Sequence, residues 1–247
     1  MESRPHIVLV HGAWVGGWEF ADIIPLLQHA GWSIETVELP STGSTGTMSA
    51  DADAVTAALD RAPGPVLLVG HSYGGVPVTQ AGDHRAVAGI VYVAAFALEQ
   101  NESVQSALGG ELPGVWSAAE GQVRLGADRA ALVALVSTGL PPGTPPAVGE
   151  QLADMFRPQS LASLTEPVRS VAWRTKPSWY VLTENDDLVP PDFQRSLAER
   201  AGAEIIRVPT GHAPFQEAPA DFVAVIERIA AELPQSTPNT PHPRSEQ

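Results

Sequence analysis

The chain has no cysteine. Disulfide frameworks, thiol catalysis and cysteine-ligated zinc sites are therefore excluded. Positive charge is also scarce: 14 Lys and Arg stand against 28 Asp and Glu, for a net charge of −14. A nucleic-acid binder would show a basic face, so no nucleic-acid partner is expected. Docking on an anionic membrane is disfavoured for the same reason. No segment approaches the ~18 consecutive apolar residues of a membrane span. The first apolar run, IVLV at 7–10, is too short for a signal-peptide core, and a cytoplasmic location is expected.

Hydrophobic residues make up 44% of the 247 positions, enough to bury a sizeable core in one large domain or one domain with an insertion. Short apolar runs alternate with stretches of helical period. Strands are expected at 7–10, 33–39, 66–69, 89–96, 178–183 and 204–209. Between the first two, Phe20, Ile23, Ile24 and Leu27 share one helical face, and Gly31 marks its stop. Ser49 is a candidate cap for a helix with Asp51 and Asp53 in its first turn and Ala52, Val55 and Leu59 inside. Phe193 and Leu197 mark a helix closed by Gly202, and Pro219 opens a last helix with Phe222, Ile226 and Ile229 on one face. Strands that are apolar throughout and alternate with helices imply a parallel sheet covered on both sides.

One region breaks the alternation. Residues 98–176 contain no convincing strand, but they do contain helical patterns at 128–136 and 148–156. They are expected to form a helical lid over one end of the sheet. Residues 1–97 and 177–233 then make up the core. The proline-rich stretch 234–247 lacks apolar periodicity and is expected to be a disordered tail.

The chemistry centres on VLLVGHSYGGVP at 66–77. Gly70-x-Ser72-x-Gly74 follows a buried strand and precedes a helix, the context of a nucleophile elbow. The glycines two positions either side of Ser72 let the backbones pass in a strained turn. A serine hydroxyl is a weak nucleophile at neutral pH and needs a base, and the base needs an orienting acid. The base candidate is His212 in VPTGHAPF, just past the sixth strand. The acid candidates Glu184, Asp186 and Asp187 follow the fifth strand, and spacing alone does not choose between the two aspartates. All lie beyond strand C-termini, where parallel-sheet enzymes place their chemistry. His71 should point away from the side on which Ser72 emerges, and is expected to pack or to support the site. An oxyanion hole needs two backbone N–H donors. Tyr73 supplies one, and Ala13 in the glycine-rich loop HGAWVGGW is expected to supply the other.

These stretches, with VAWRTKPSWYVLTENDDLVPPDFQ and VPTGHAPFQEAPADF, resemble the α/β-hydrolases. More narrowly, they resemble the plant methylesterase/hydroxynitrile lyase branch and its bacterial serine esterase relatives. The resemblance spans nearly the whole chain to about residue 233. It implies an α/β-hydrolase fold, with a mostly parallel six-stranded sheet and a helical lid inserted after the fourth strand. The two leading antiparallel strands of the fold are expected to be absent, a truncation the branch shares. It also implies Ser72 as nucleophile, His212 as base, and Ala13 and Tyr73 as oxyanion donors. In relatives the acid stands three residues before an Ile/Val-Pro pair. Val189-Pro190 thus selects Asp186.

Two departures argue against lyase activity. The lyases carry a lysine directly after the catalytic histidine, where this chain has Ala213. They also carry a threonine after the first-strand histidine, where this chain has Gly12. Hydrolysis of a carboxylic ester, lactone or thioester of an apolar or aromatic small molecule is the expected activity, with no metal and no organic cofactor. Trp14, Trp116, Leu132, Met155 and Phe156 are candidates for the pocket. A carbon–carbon bond hydrolase with the same triad, or a receptor that retains it, are the rival readings.

Overall fold

The computed structural model describes residues 4–43, 45–138, 140 and 143–233. The tail expected at 234–247 lies outside the described residues. Along the chain the strands are β1 (His6–Val10), β2 (Ile34–Val37), β3 (Val66–His71), β4 (Val87–Val93), β5 (Trp116–Ala119), β6 (Gln122–Leu125), β7 (Gln159–Ser160), β8 (Ser178–Thr183) and β9 (Glu204–Val208). Six of them form one sheet in the order β2-β1-β3-β4-β8-β9, with every pair parallel.

Alternation along each strand divides the interior in two. Val8, Val10, Leu68, Tyr92, Tyr180 and Leu182 pack on one face, against Val55 and Leu59 of the helix Met48–Arg61 and Leu197 of the helix Pro191–Arg200. Ile7, Leu9, Leu67, Val69, Val91 and Val181 pack on the other, against Leu27 of the helix Ile24–His29 and Phe222, Ile226 and Ile229 of the helix Pro219–Glu232. Burial on both faces is why these strands read as unbroken apolar runs.

The segment between β4 and β8 corrects the sequence expectation of an all-helical insertion. It carries the helices Arg129–Thr138 and Pro146–Met155, but also an antiparallel sheet in the order β5-β6-β7. β5 and β6 form a hairpin turned by Glu120 and Gly121, both at positive φ (52° and 77°). Two successive positive φ values suit the right-handed twist of a two-residue hairpin. A second correction concerns the helix Met48–Arg61. Its cap is Thr47, whose side chain accepts from the Ala50 N–H. Ser49 instead donates its hydroxyl to Glu166, 2.6 Å away in the inserted segment.

Candidate active site

The end of β3 leads into a 3₁₀ turn, Ser72–Gly74, and then the helix Gly75–Ala81. Ser72 sits at φ 51°, a left-handed conformation that costs a non-glycine residue energy and persists only where surroundings enforce it. The flanking glycines are what permit the turn. A Cβ on Gly74 would lie 2.5 Å from the Val10 carbonyl oxygen and 2.6 Å from that of His11. One on Gly70 would lie 2.9 Å from the Gly74 carbonyl oxygen. β1 thus passes directly against the elbow.

His212 lies in the loop after β9, and its Nδ1 donates to Asp186 Oδ2 at 2.7 Å. The same Oδ2 accepts from Thr183 Oγ1 (2.9 Å) and Gln194 Nε2 (3.0 Å), while Oδ1 accepts the Leu188 and Val189 N–H groups (2.8 and 2.9 Å). Burial of Asp186 pushes its carboxyl pKa up. The hydrogen bond and charge of His212, with the two main-chain donors, outweigh this and hold it below the ordinary value. Asp187 is exposed. The structure therefore pairs His212 with Asp186, as Val189-Pro190 suggested. Leu188 and Val189 are the donors that hold the carboxylate, which is a physical reason for the fixed offset.

Ala13, Trp14, Ser72, Tyr73, Phe96, Val104, Trp116, Leu164, Leu188, Val189 and His212 enclose a cavity of about 20 Å³. Ser72, His212 and both expected oxyanion donors thus meet in one place. Of the expected pocket residues, Trp14 and Trp116 line this cavity, in edge-to-face contact at 4.9 Å. Leu132 and Phe156 instead line a second cavity of about 290 Å³, with Trp14 the residue common to both. Met155 lines neither and is 44% exposed, a correction to its expected role. It lies on the outer side of its helix, where only Gly149 and Ala153 are buried.

Tyr73 does more than offer its N–H. Its side chain is buried and its hydroxyl donates to Asp51 Oδ2 at 2.5 Å. Asp51, also buried, accepts the Ser41 N–H (2.9 Å) and hydroxyl (2.6 Å), and Ser41 Oγ in turn accepts from Gln159 Nε2 of β7 (2.6 Å). Sequence reasoning took Asp51 for a first-turn acid complementing the helix dipole. It is instead the centre of a buried polar network joining the elbow to the inserted segment. Trp14 is fastened to that segment as well: its Nε1 donates to the Val123 carbonyl (2.9 Å), and its own carbonyl accepts the Arg157 N–H (2.8 Å).

His11, buried at the end of β1, lies with Nδ1 2.8 Å from the Gly12 carbonyl and accepts the Leu39 N–H at Nε2 (3.0 Å). It shapes the glycine-rich loop. No group of three or more His, Asp or Glu among the described residues could hold a metal ion, and none of the described helices is long and apolar enough to cross a membrane.

The model of the alpha/beta hydrolase family matches residues 7–225. The chain belongs to this family. It is 28% identical over 246 residues to a carbendazim hydrolyzing esterase of Nocardioides sp., across 92% of this chain and 98% of that one. To methyl jasmonate esterase 1 of Vitis vinifera it is 24% identical over 258 residues, across 93% and 98% of the two chains. Among solved structures, a pyrethroid hydrolase from Sphingobium faniae superposes with a TM-score of 0.78 at 22% identity, covering 93% of this chain and 98% of the other. The last likeness shows the shared fold. Both sequence relatives are named as esterases, and the chain is similar to each over nearly its whole length.

Proposed function

We propose that this hydrolase is a serine esterase that cleaves a carboxylic ester of an apolar or aromatic small molecule through an acyl-enzyme intermediate. The observation that carries the reading is the 2.7 Å contact between His212 Nδ1 and Asp186, with His212 and the strained Ser72 lining one cavity. Holding Nδ1 as the donor leaves Nε2 free to act as base.

In this reading Ser72 Oγ attacks the ester carbonyl carbon while its proton passes to His212 Nε2. Asp186 holds the tautomer and stabilises the imidazolium that forms. The Ala13 and Tyr73 N–H groups take the oxyanion, which contributes a few kcal/mol of barrier lowering for each donor. Collapse of the tetrahedral intermediate breaks the C–O bond, and the alcohol leaves with the proton from His212. A water deprotonated by His212 then attacks the acyl carbon, and Ser72 departs as the hydroxyl. A lactone or thioester would follow the same course. No cofactor enters any step.

A cavity of about 20 Å³ has room for about one water. The inserted segment, 98–176, contributes Val104, Trp116 and Leu164 to its wall. In this reading the segment acts as a lid that shifts to admit substrate. The apolar side chains around the larger cavity, Leu125, Leu132, Ala153 and Phe156, support an apolar group bound beyond Trp14.

Hydrolysis of p-nitrophenyl esters from acetate to octanoate, in wild type and Ser72→Ala, tests the proposal. Turnover that disappears in the variant supports it, and the best chain length sizes the pocket. Folded wild-type protein without turnover on any of the series counts against it.

A further inference from the structure

Beside the His212–Asp186 pair lies a second carboxylate–imidazole pair that the proposed chemistry does not use. Glu19 and His71 are only 3% and 4% exposed. His71 Nδ1 lies 3.2 and 3.1 Å from Glu19 Oε1 and Oε2, and its Nε2 lies 3.0 Å from the His212 carbonyl oxygen. Both ring nitrogens face acceptors, so the ring donates from both, as an imidazolium against a carboxylate. Burial alone would lower the His71 pKa. The Glu19 charge and hydrogen bond, aided by the His212 carbonyl and the Asp186 charge, leave it raised.

Glu19 has two further links. Its Oε1 accepts the Gly12 N–H at 3.1 Å, and its main-chain carbonyl accepts from Gln216 Nε2 at 3.1 Å. Gly12 precedes the expected oxyanion donor Ala13, and Gln216 lies in the short helix Pro214–Glu217 just after His212. Three loops distant in sequence therefore meet on one pair: the loop after β1, the elbow and the loop after β9. A Cβ on Gly12 would lie 3.1 Å from His71 Nδ1 and 3.2 Å from Ser72 Cβ, so these loops are in close contact.

We propose that Glu19 is a positioning residue: from one buried point it fixes the oxyanion loop at Gly12 directly, and through His71 it fixes the elbow beside Ser72 and the main-chain carbonyl of His212. The proposal rests on the esterase reading. A buried ion pair adds little net stability over a well-packed apolar pair, because desolvation offsets the attraction. Directional hydrogen bonds to three loops are what this pair supplies and an apolar pair would not. The His71 ring is centred 4.7 Å from the His212 ring, so a displaced His71 is felt at once by the base.

The test is Glu19→Gln, which keeps the volume of the side chain but not its charge. The expected result is a fall in kcat of roughly 10²-fold on p-nitrophenyl acetate with KM little changed, the scale of loss that a small misplacement produces. Ser72 labelling by a fluorophosphonate should slow by a similar factor. Proton NMR provides a readout independent of turnover. Wild type should show two low-field Nδ1–H signals, one for each imidazole–carboxylate pair. Glu19→Gln should remove the His71 signal and shift or broaden that of His212. Unchanged kcat and labelling rate, with an unmoved His212 signal, would overturn the proposal. Should Glu19→Gln not fold, His71→Gln carries the measurements of kcat, labelling rate and the His212 signal, since it removes the ring that joins Glu19 to the His212 carbonyl. An unlabelled wild-type Ser72 would count against the esterase reading, and the His212 signal in Glu19→Gln would then decide the positioning role by itself.

Discussion

Asp186 gives one carboxylate oxygen to His212, at 2.7 Å, and the other to the main chain of Leu188 and Val189. The carboxylate cannot swing away without releasing two main-chain donors. Asp186→Asn leaves the shape of the site but presents the wrong hydrogen-bonding pattern to the imidazole. Ester turnover should fall by about 10³–10⁴-fold. Asp187 is exposed, and Asp187→Asn should change kcat by no more than a few-fold. Steady-state kinetics on the two variants checks this, and equal losses would reject Asp186 as the acid.

Gly74→Ala places a methyl 2.5 Å from the Val10 carbonyl oxygen, a backbone atom that cannot step aside. Destabilisation at or above the upper end of about 1–3 kcal/mol is expected, with loss of activity as the elbow is displaced. Gly64→Ala is a control, because nothing lies within 4 Å of its added Cβ. Chemical denaturation of both variants gives the comparison.

Trp116 walls the small cavity without being part of the loop that carries Ala13. Trp116→Ala should shift the preferred p-nitrophenyl ester toward longer acyl chains and change kcat/KM for acetate much less. An unaltered chain-length profile would mean that Trp116 does not bound the acyl group.

Asp51 and Asp186 should tilt the pH dependence of stability in opposite directions. Burial raises the Asp51 pKa, against the lowering effect of Ser41, Tyr73 and His11. The stability linked to it is therefore fully present below the ordinary value of 3.8 and lost as pH rises through the raised folded value. The Asp186 pKa is lowered, so its contribution is present above 3.8 and lost as pH falls through the folded value. Tm measured between about pH 3 and about pH 7 should fall less steeply on the acid side in Asp186→Asn than in wild type. Asp51→Asn should lack the decline on the upper side.

The four central strands of the main sheet, β1, β3, β4 and β8, were legible because both their faces are buried, and an apolar run bounded by glycine or proline survives any reading frame. The edge strands β2 and β9 are partly exposed and were legible from their β-branched residues. The strand at 178–183 was expected with the bounds it has, Ser178–Thr183. The β5–β6 hairpin was missed because its strands are only four residues each: QVRL alternates polar and apolar over too few positions to stand out, and WSAA does not sustain an alternation. Only the Glu120-Gly121 pair signalled a turn. At the helix Met48–Arg61, Thr47 and Ser49 were chemically equal as caps, and only Glu166, more than a hundred residues away, decides that Ser49 is engaged elsewhere. Glu19 and Asp51 went unrecognised for a shared reason. A lone acid in a polar or glycine-rich stretch reads as solvated, and the partners that bury these two, His71, Tyr73 and Ser41, come together only in three dimensions.

The helix Arg129–Thr138 buries none of its residues, and it packs chiefly on its neighbour Pro146–Met155. Its residues are half-buried or exposed, and Leu132 and Leu135 are the two that pack against the core. Sequence change at its exposed positions, such as Ala134, Ser137 and Thr138, should carry little folding cost, while Leu132 and Leu135 bear on the apolar interior from its inner side. If the proposed esterase reading holds, this pair of helices is where a new substrate preference should be easiest to select, by mutation or in the laboratory, without retuning the chemistry beneath it.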